Sequence, residues 1–411
     1  MVEREIQRQI EPWIKRDEIL ILNGPRQVGK TTLMKVYEKE LREQGSPTLF
    51  LNLENPNDLL LAEDYQRFLK TVRISQKKTY VFLDEIQLHS RPSNFLKWMY
   101  DEHRSNIKVF ASGSANLDIK AKLQDSLAGR KKTFDITPFY FSEFLTAKGF
   151  KKNTNPITDE QRASLLLEEF LLYGGLPKIV LEEDYSIKQD LLEEYVSTYI
   201  SKDIRHLIAE NNVQTFNHLL IFLSKITGNL KNNERICKEL EMNRLTLKRY
   251  LDLLEKTFIV DFLHPYFTHE ITRIKKAQKV YFFDTGVRNS LLSNFSPLQG
   301  RNDAGSLFEN VIYYRLTERY GKQHVFYLRT KSENEIDFVC QSKTGTILGY
   351  EAKYSSYRTP TITHGISTFL QKIPFEKVIV INRNLSEAAG KVHFVDFCRF
   401  STSNGMEEQT S

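Results

Sequence analysis

The loop GPRQVGKTT, residues 24–32, constrains this chain more than any other feature. It follows EILILNG, an apolar run at 18–24 that reads as a buried strand, and it leads into GKTTLMKVYEKELREQG at 29–45. That second stretch places Leu33, Val36, Tyr37 and Leu41 on one face of a helix and has Gly45 past its end. Gly24, Gly29, Lys30 and Thr31 satisfy the spacing GxxxxGK[ST], in the strand–loop–helix frame that gives the pattern meaning. Glycines let backbone N–H groups turn inward around an anion, and a helix N-terminus adds the positive end of its dipole. Gly24, Pro25, Arg26, Gln27, Val28, Gly29, Lys30, Thr31 and Thr32 are therefore the expected cradle for nucleotide phosphates. Lys30 is expected on the β- and γ-phosphates, and Thr31 on Mg2+.

A second stretch completes the chemistry. In YVFLDEIQ, 80–87, a largely apolar strand ends in Asp84 and Glu85. An aspartate at that end of a neighbouring strand is placed to hold Mg2+ or its waters, and the next acid can polarise an attacking water. The pair favours hydrolysis over binding alone. VFASGSAN, 109–116, offers Ser112 or Ser114 as a γ-phosphate sensor or as a plain turn and cap. LAGRKK, 127–132, offers Arg130 as an arginine finger, within the subunit or from a neighbour, or as a solvated basic cap.

Strands and helices alternate through the first 150 residues, with further strands at 48–54, 79–85, 106–114 and 132–139. Alternation of this kind predicts an α/β fold with a parallel sheet covered on both faces. A polar stretch at 151–160 reads as a linker. Helical patterning follows at 163–177 and 189–208, and three short helices with an apolar strand occupy 214–263. In 232–263 the spacing of Ile236, Leu240, Leu247, Leu251 and Leu254 has a helix–turn–helix rhythm, with EMN at the turn. Arg244, Lys248 and Arg249 lie near the start of the second helix, where a DNA-reading helix would carry them, or where a solvated face would. Strands return at 279–286, 324–330, 334–341, 346–354 and 377–384, around a helix at 305–321.

GPRQVGKTTL, YVFLDEIQ, SGSAN, LAGR followed by FDITPFYFSEFL, and YGGLP together resemble the bacterial and archaeal AAA-type ATPases that carry a C-terminal domain of unknown function. The resemblance runs from about residue 15 to residue 385. It implies ATP as the nucleotide, a P-loop core, a helical and winged-helix middle, and a nuclease-like C-terminal fold. The expected domains are 1–150, 151–277 and 278–400, with a polar tail at 401–411.

The last domain holds a second acidic set. Glu309 falls on the helix and Asp337 on a strand among Ile336, Phe338 and Val339. Glu351 and Lys353, two apart on the next strand, share a face. Asp337 and Glu351 are 14 apart (351 − 337), right for two strands joined by a turn at KTGT. The order resembles the PD-(D/E)xK nuclease superfamily, which implies Glu309, Asp337 and Glu351 as metal ligands and Lys353 as a catalytic lysine. Arg329 and Lys331 would suit a phosphate-lined groove or a charged loop.

Composition admits this picture without forcing it. The balance of 58 basic to 52 acidic residues, +6 overall, permits a nucleic-acid partner. Three dispersed cysteines give no disulfide or metal spacing, and no apolar run approaches the ~20 residues of a membrane span. The expectation is a cytoplasmic, nucleotide-controlled protein that binds nucleic acid, DNA favoured, with self-association if Arg130 acts in trans. The alternative is an ATP-gated regulator or scaffold that binds DNA or protein without cutting.

Overall fold

A computed structural model describes residues 2–72, 77–113, 127–150, 156–199, 204, 208, 212–266, 277–330, 334–342 and 344–402. Ser114 and Lys331 lie outside them. The chain forms two compact units, one of residues 1–138 with 252–259, the other of 139–251 with 260–411.

The first unit is built on a five-stranded sheet. Its strands are β1 (Ile19–Asn23), β2 (Thr48–Asn52), β3 (Thr79–Asp84), β4 (Ile107–Gly113) and β5 (Lys131–Asp135), in the order β2-β3-β4-β1-β5. Every neighbouring pair is parallel. The order puts β4 between the strand that feeds the loop and the strand that ends in Asp84. Helix α1 (Gln7–Ile14) precedes the sheet, and α2 (Lys30–Glu43) follows β1 with Leu33, Met34, Tyr37 and Leu41 buried. Helices α3 (Pro56–Glu63), α4 (Tyr65–Val72) and α5 (Pro92–His103) cover the other face, where Phe68, Phe95, Leu96 and Met99 pack on Ile19, Ile21, Val81 and Val109. Buried Lys108 donates to the carbonyls of Trp13 and Arg16, satisfying groups left open at the end of α1.

In the second unit, α6 (Phe141–Ala147), α7 (Pro156–Tyr173), α8 (Pro177–Leu181) and α9 (Tyr185–Thr198) come first. The expected linker is helical from Pro156. Then come α10 (Val213–Lys225), α11 (Asn233–Glu239) and α12 (Arg244–Lys256), the last counted with the first unit from Asp252 on, followed by β6 (Val260–Leu263) and β7 (Lys279–Phe282). These two strands form their own antiparallel sheet. The expected boundary at 278 would divide that ladder, and the expected strand at 279–286 ends at Phe282. Asp284 then caps α13 (Thr285–Leu291).

Helix α14 (Ala304–Tyr320) packs on a six-stranded mixed sheet. The sheet comprises β8 (Val325–Arg329), β9 (Glu335–Gln341), β10 (Ile347–Ala352), β11 (Lys377–Asn382), β12 (Glu387–Ala389) and β13 (Val392–Asp396), ordered β12-β13-β11-β10-β9-β8. Its other helices are α15 (His364–Lys372) and α16 (Phe397–Thr402). Ser401 is buried at the end of α16, so the polar tail begins later than expected. Among the described residues no helix is long and apolar enough to cross a membrane.

Candidate functional site

The P-loop is shaped by two glycines. Gly24 has φ of 148°, and a Cβ there would stand 2.3 Å from the Ile136 carbonyl. Gly29 has φ of 94° and starts α2. Side chains rarely adopt either conformation, so the GxxxxG spacing follows from backbone geometry. Arg4, which the sequence reading missed, donates to the Val28 carbonyl at 2.9 Å and to the Thr137 carbonyl at 2.7 Å, bracing the loop from the N-terminal arm.

Lys30 is buried and donates to the carbonyls of Gly24 at 2.9 Å and Pro25 at 2.6 Å. Its ammonium thus lies against the loop that would receive phosphate. Thr31 donates its hydroxyl to Asp84 Oδ2 at 2.7 Å. Ser112 donates to Asp84 Oδ1 and accepts the Glu85 N–H at 3.1 Å. The Ser112 hydroxyl therefore links the Asp84 carboxylate to the Glu85 backbone. Glu85 itself has φ of 55°, left-handed for a residue with a side chain, and accepts from the Gln87 amide. Such strain persists only where surrounding contacts hold it. The Thr31 hydroxyl beside the Asp84 carboxylate is an oxygen pair suited to Mg2+.

Arg130 does not join this group. Its guanidinium pairs with Asp101 at 2.7 Å. Its carbonyl accepts from Ile19, at the start of β1, whereas the P-loop follows the end of β1. At 3.3 Å per residue the two are about 16 Å apart. In this structure its guanidinium is engaged by Asp101, away from the loop.

A second cluster lies in the other unit. The β9–β10 register pairs Phe338 with Tyr350, and one step further it sets Asp337 opposite Glu351. Asp337 accepts the Ala352 N–H at 2.8 Å, and Lys353 pairs with Glu351 at 2.7 Å. Glu309 comes from α14. The four residues expected together do meet. The structure adds Lys279, Tyr281 and Glu335, which the sequence reading passed over. Lys279, only 2 % exposed, reaches Glu309 at 2.7 Å, Asp337 at 3.6 Å and also Glu335. Tyr281 donates to Glu309 at 2.6 Å. A lysine and a tyrosine two apart on a strand were a readable sign of a shared face; their target was not.

Burial pushes the Glu309 carboxyl up to about 7, against the pull of Lys279. Burial and the Asp337 charge push Glu351 up to about 8, against the pull of Lys353. Lys279 is held above the usual lysine range: burial opposes its charge, and the carboxylates of Glu309, Asp337 and Glu335 outweigh burial. Among the described residues no group of three His, Cys, Asp or Glu side chains is arranged to hold a metal. The Lys279 ammonium stands between Glu309 and Asp337, two of the three expected ligands.

Residues 16–145 match the family model described as AAA domain. The matched stretch holds both the P-loop and the Asp84–Glu85 pair. Residues 164–298 and 304–397 match two models described only as domains of unknown function, DUF8612 and DUF4143. An uncharacterized protein of Haemophilus influenzae is 27 % identical over 396 residues, covering 93 % of this chain and 94 % of its own. An uncharacterized protein of Methanocaldococcus jannaschii is 29 % identical over 345 residues, covering 81 % of this chain and 74 % of its own. Among solved structures, the T158V RuvB of Thermotoga maritima overlays with a TM-score of 0.31 and 15 % identity, over 63 % of this chain and 89 % of that one. AMPPCP-bound DnaA from Aquifex aeolicus gives 0.28 and 15 %, over 62 % and 90 %.

Proposed function

We propose that this chain binds ATP with Mg2+ at residues 24–32 and hydrolyses it, and that the bound nucleotide sets how the second unit engages a nucleic acid, DNA favoured. The observation that carries the reading is the convergence of Thr31 and Ser112 on Asp84, with the Glu85 N–H on Ser112, next to the buried Lys30. Lys30 exchanges loop carbonyls for phosphate oxygens. Gly29, Lys30 and Thr31 offer N–H groups at the start of α2. Thr31 and Asp84 hold Mg2+, which when bound neutralises phosphate charge. Glu85 takes the proton of a water that attacks the γ-phosphorus, and the bond to the β–γ bridging oxygen breaks to leave ADP and phosphate. Water orientation by a carboxylate contributes about 10²–10⁴-fold.

The test is steady-state phosphate release with and without duplex DNA. Wild type turns over, Lys30→Ala does not, and DNA changes the wild-type rate. Turnover that survives Lys30→Ala sinks the reading. Indifference to DNA removes only its nucleic-acid half and favours the regulator or scaffold with a protein partner.

The second reading is a metal-dependent nuclease at the other cluster. It is favoured by the meeting of Glu309, Asp337, Glu351 and Lys353, and opposed by Lys279 among them. Nicking of supercoiled plasmid that requires Mg2+ or Mn2+ and is lost in Asp337→Asn would establish it.

A further inference from the structure

The cation of the acidic cluster is carried by the chain itself. Lys279 opens β7, a strand of the two-stranded sheet, and is not part of the six-stranded sheet that bears Asp337 and Glu351. Its backbone is fixed by the segment ahead of α11: Lys231 donates to Gln278 at 2.8 Å, and Gly228 donates to Val280 at 2.8 Å. That segment also presses on the cluster, since a Cβ on Gly228 would lie 3.3 Å from Glu309 Oε2. The ammonium contacts Glu309 and Asp337, the two carboxylates a shared divalent ion would have to bridge. Mg2+ or Mn2+ needs oxygen ligands about 2.1 Å away, and an ammonium bound to the same carboxylate oxygens competes with it.

We infer that Lys279 is a tethered counter-cation that takes the place of a divalent metal, so the cluster is closed to metal while the two-stranded sheet is seated. Opening requires that β7 withdraw, which couples the helix–turn–helix segment to the cluster. The nuclease reading contributes only the comparison with a metal site. The inference itself stands on the contacts of Lys279.

Mn2+ binding to the full nucleotide-free chain, followed by the loss of the free Mn2+ electron paramagnetic resonance signal, decides it. Wild type binds no Mn2+ that Asp337→Asn removes. Lys279→Met, similar in length and uncharged, gains such a site with at least tenfold higher affinity, and Lys279→Met with Asp337→Asn loses it. An Asp337-dependent Mn2+ site already present in wild type overturns the inference, as does a Lys279→Met chain that gains none. Where Lys279→Met folds poorly, Mn2+ raises its melting temperature and leaves that of wild type unmoved; no such rescue also overturns it. Plasmid nicking measured alongside separates the readings: metal gained without nicking upholds the inference and removes the nuclease.

Discussion

Glu85 is the residue on which the proposed turnover rests most. Its left-handed backbone and the Ser112 hydroxyl on its N–H fix where the carboxylate stands. Ser112→Ala takes a hydrogen bond from each acid of the pair and is expected to lower turnover about tenfold with little change in nucleotide affinity, read from kcat and Kd. Elsewhere, Asp284 accepts the N–H groups of Gly175 at 2.7 Å and Val287 at 3.0 Å, and burial pushes its carboxyl up to about 6 in spite of them. A folded-state pKa above the ordinary 3.8 means that the fold keeps a proton the unfolded chain has released. Stability from this group is therefore full below about 3.8 and falls as pH rises to about 6, by about 1.4 kcal/mol per unit. Urea midpoints across that window are expected to drift in favour of Asp284→Asn relative to wild type. A constant difference would contradict the assignment.

At the scale of elements, glycines join what the sequence leaves separate. YGGLP ends α7 where α13 begins, and a Cβ on Gly286 would stand 2.1 Å from the Tyr173 carbonyl. Gly286→Ala is expected to cost about 3 kcal/mol or more in a urea melt, because backbone rather than a flexible side chain must yield. Helix α12 shows Arg244, Lys248 and Arg249 to solvent on one face. Replacing all three by Gln is expected to weaken DNA binding at low salt and flatten its salt dependence by up to three charges. Unchanged binding would assign that face to another partner. The parallel sheet and the loop were legible because GxxxxGKT, the apolar strands and the acid pair are local patterns. So were β8 to β11 and the pairing of Asp337 with Glu351, which alternation and a short turn determine. The β6–β7 pair was not legible, since its strands are separated by 15 residues between Leu263 and Lys279 (279 − 263 − 1) and no periodicity links them. Lys279 was hidden for the same reason: a lysine that opens an apolar strand looks like a solvated end until its neighbours are known.

At the scale of the whole molecule, the chain has one unit that matches an AAA domain over residues 16–145 and a second that holds its own buried charge cluster. Arg130 lies at the end of the β1–β5 pair opposite the one that leads into the P-loop, so the role proposed for it is one served from a neighbouring copy. If it does, phosphate release per subunit rises with protein concentration, and Arg130→Ala abolishes the rise; a rate per subunit that stays flat down to confirmed monomers removes the trans role. The central claim is that Asp84 and Glu85, held by Thr31 and Ser112, turn a bound nucleotide over. The most direct measurement is a paired one on wild type and Glu85→Gln: equilibrium ATP binding with Mg2+, and single-turnover hydrolysis of the bound ATP. The account predicts unchanged affinity and hydrolysis slowed at least a hundredfold. Hydrolysis at the wild-type rate in Glu85→Gln would contradict it.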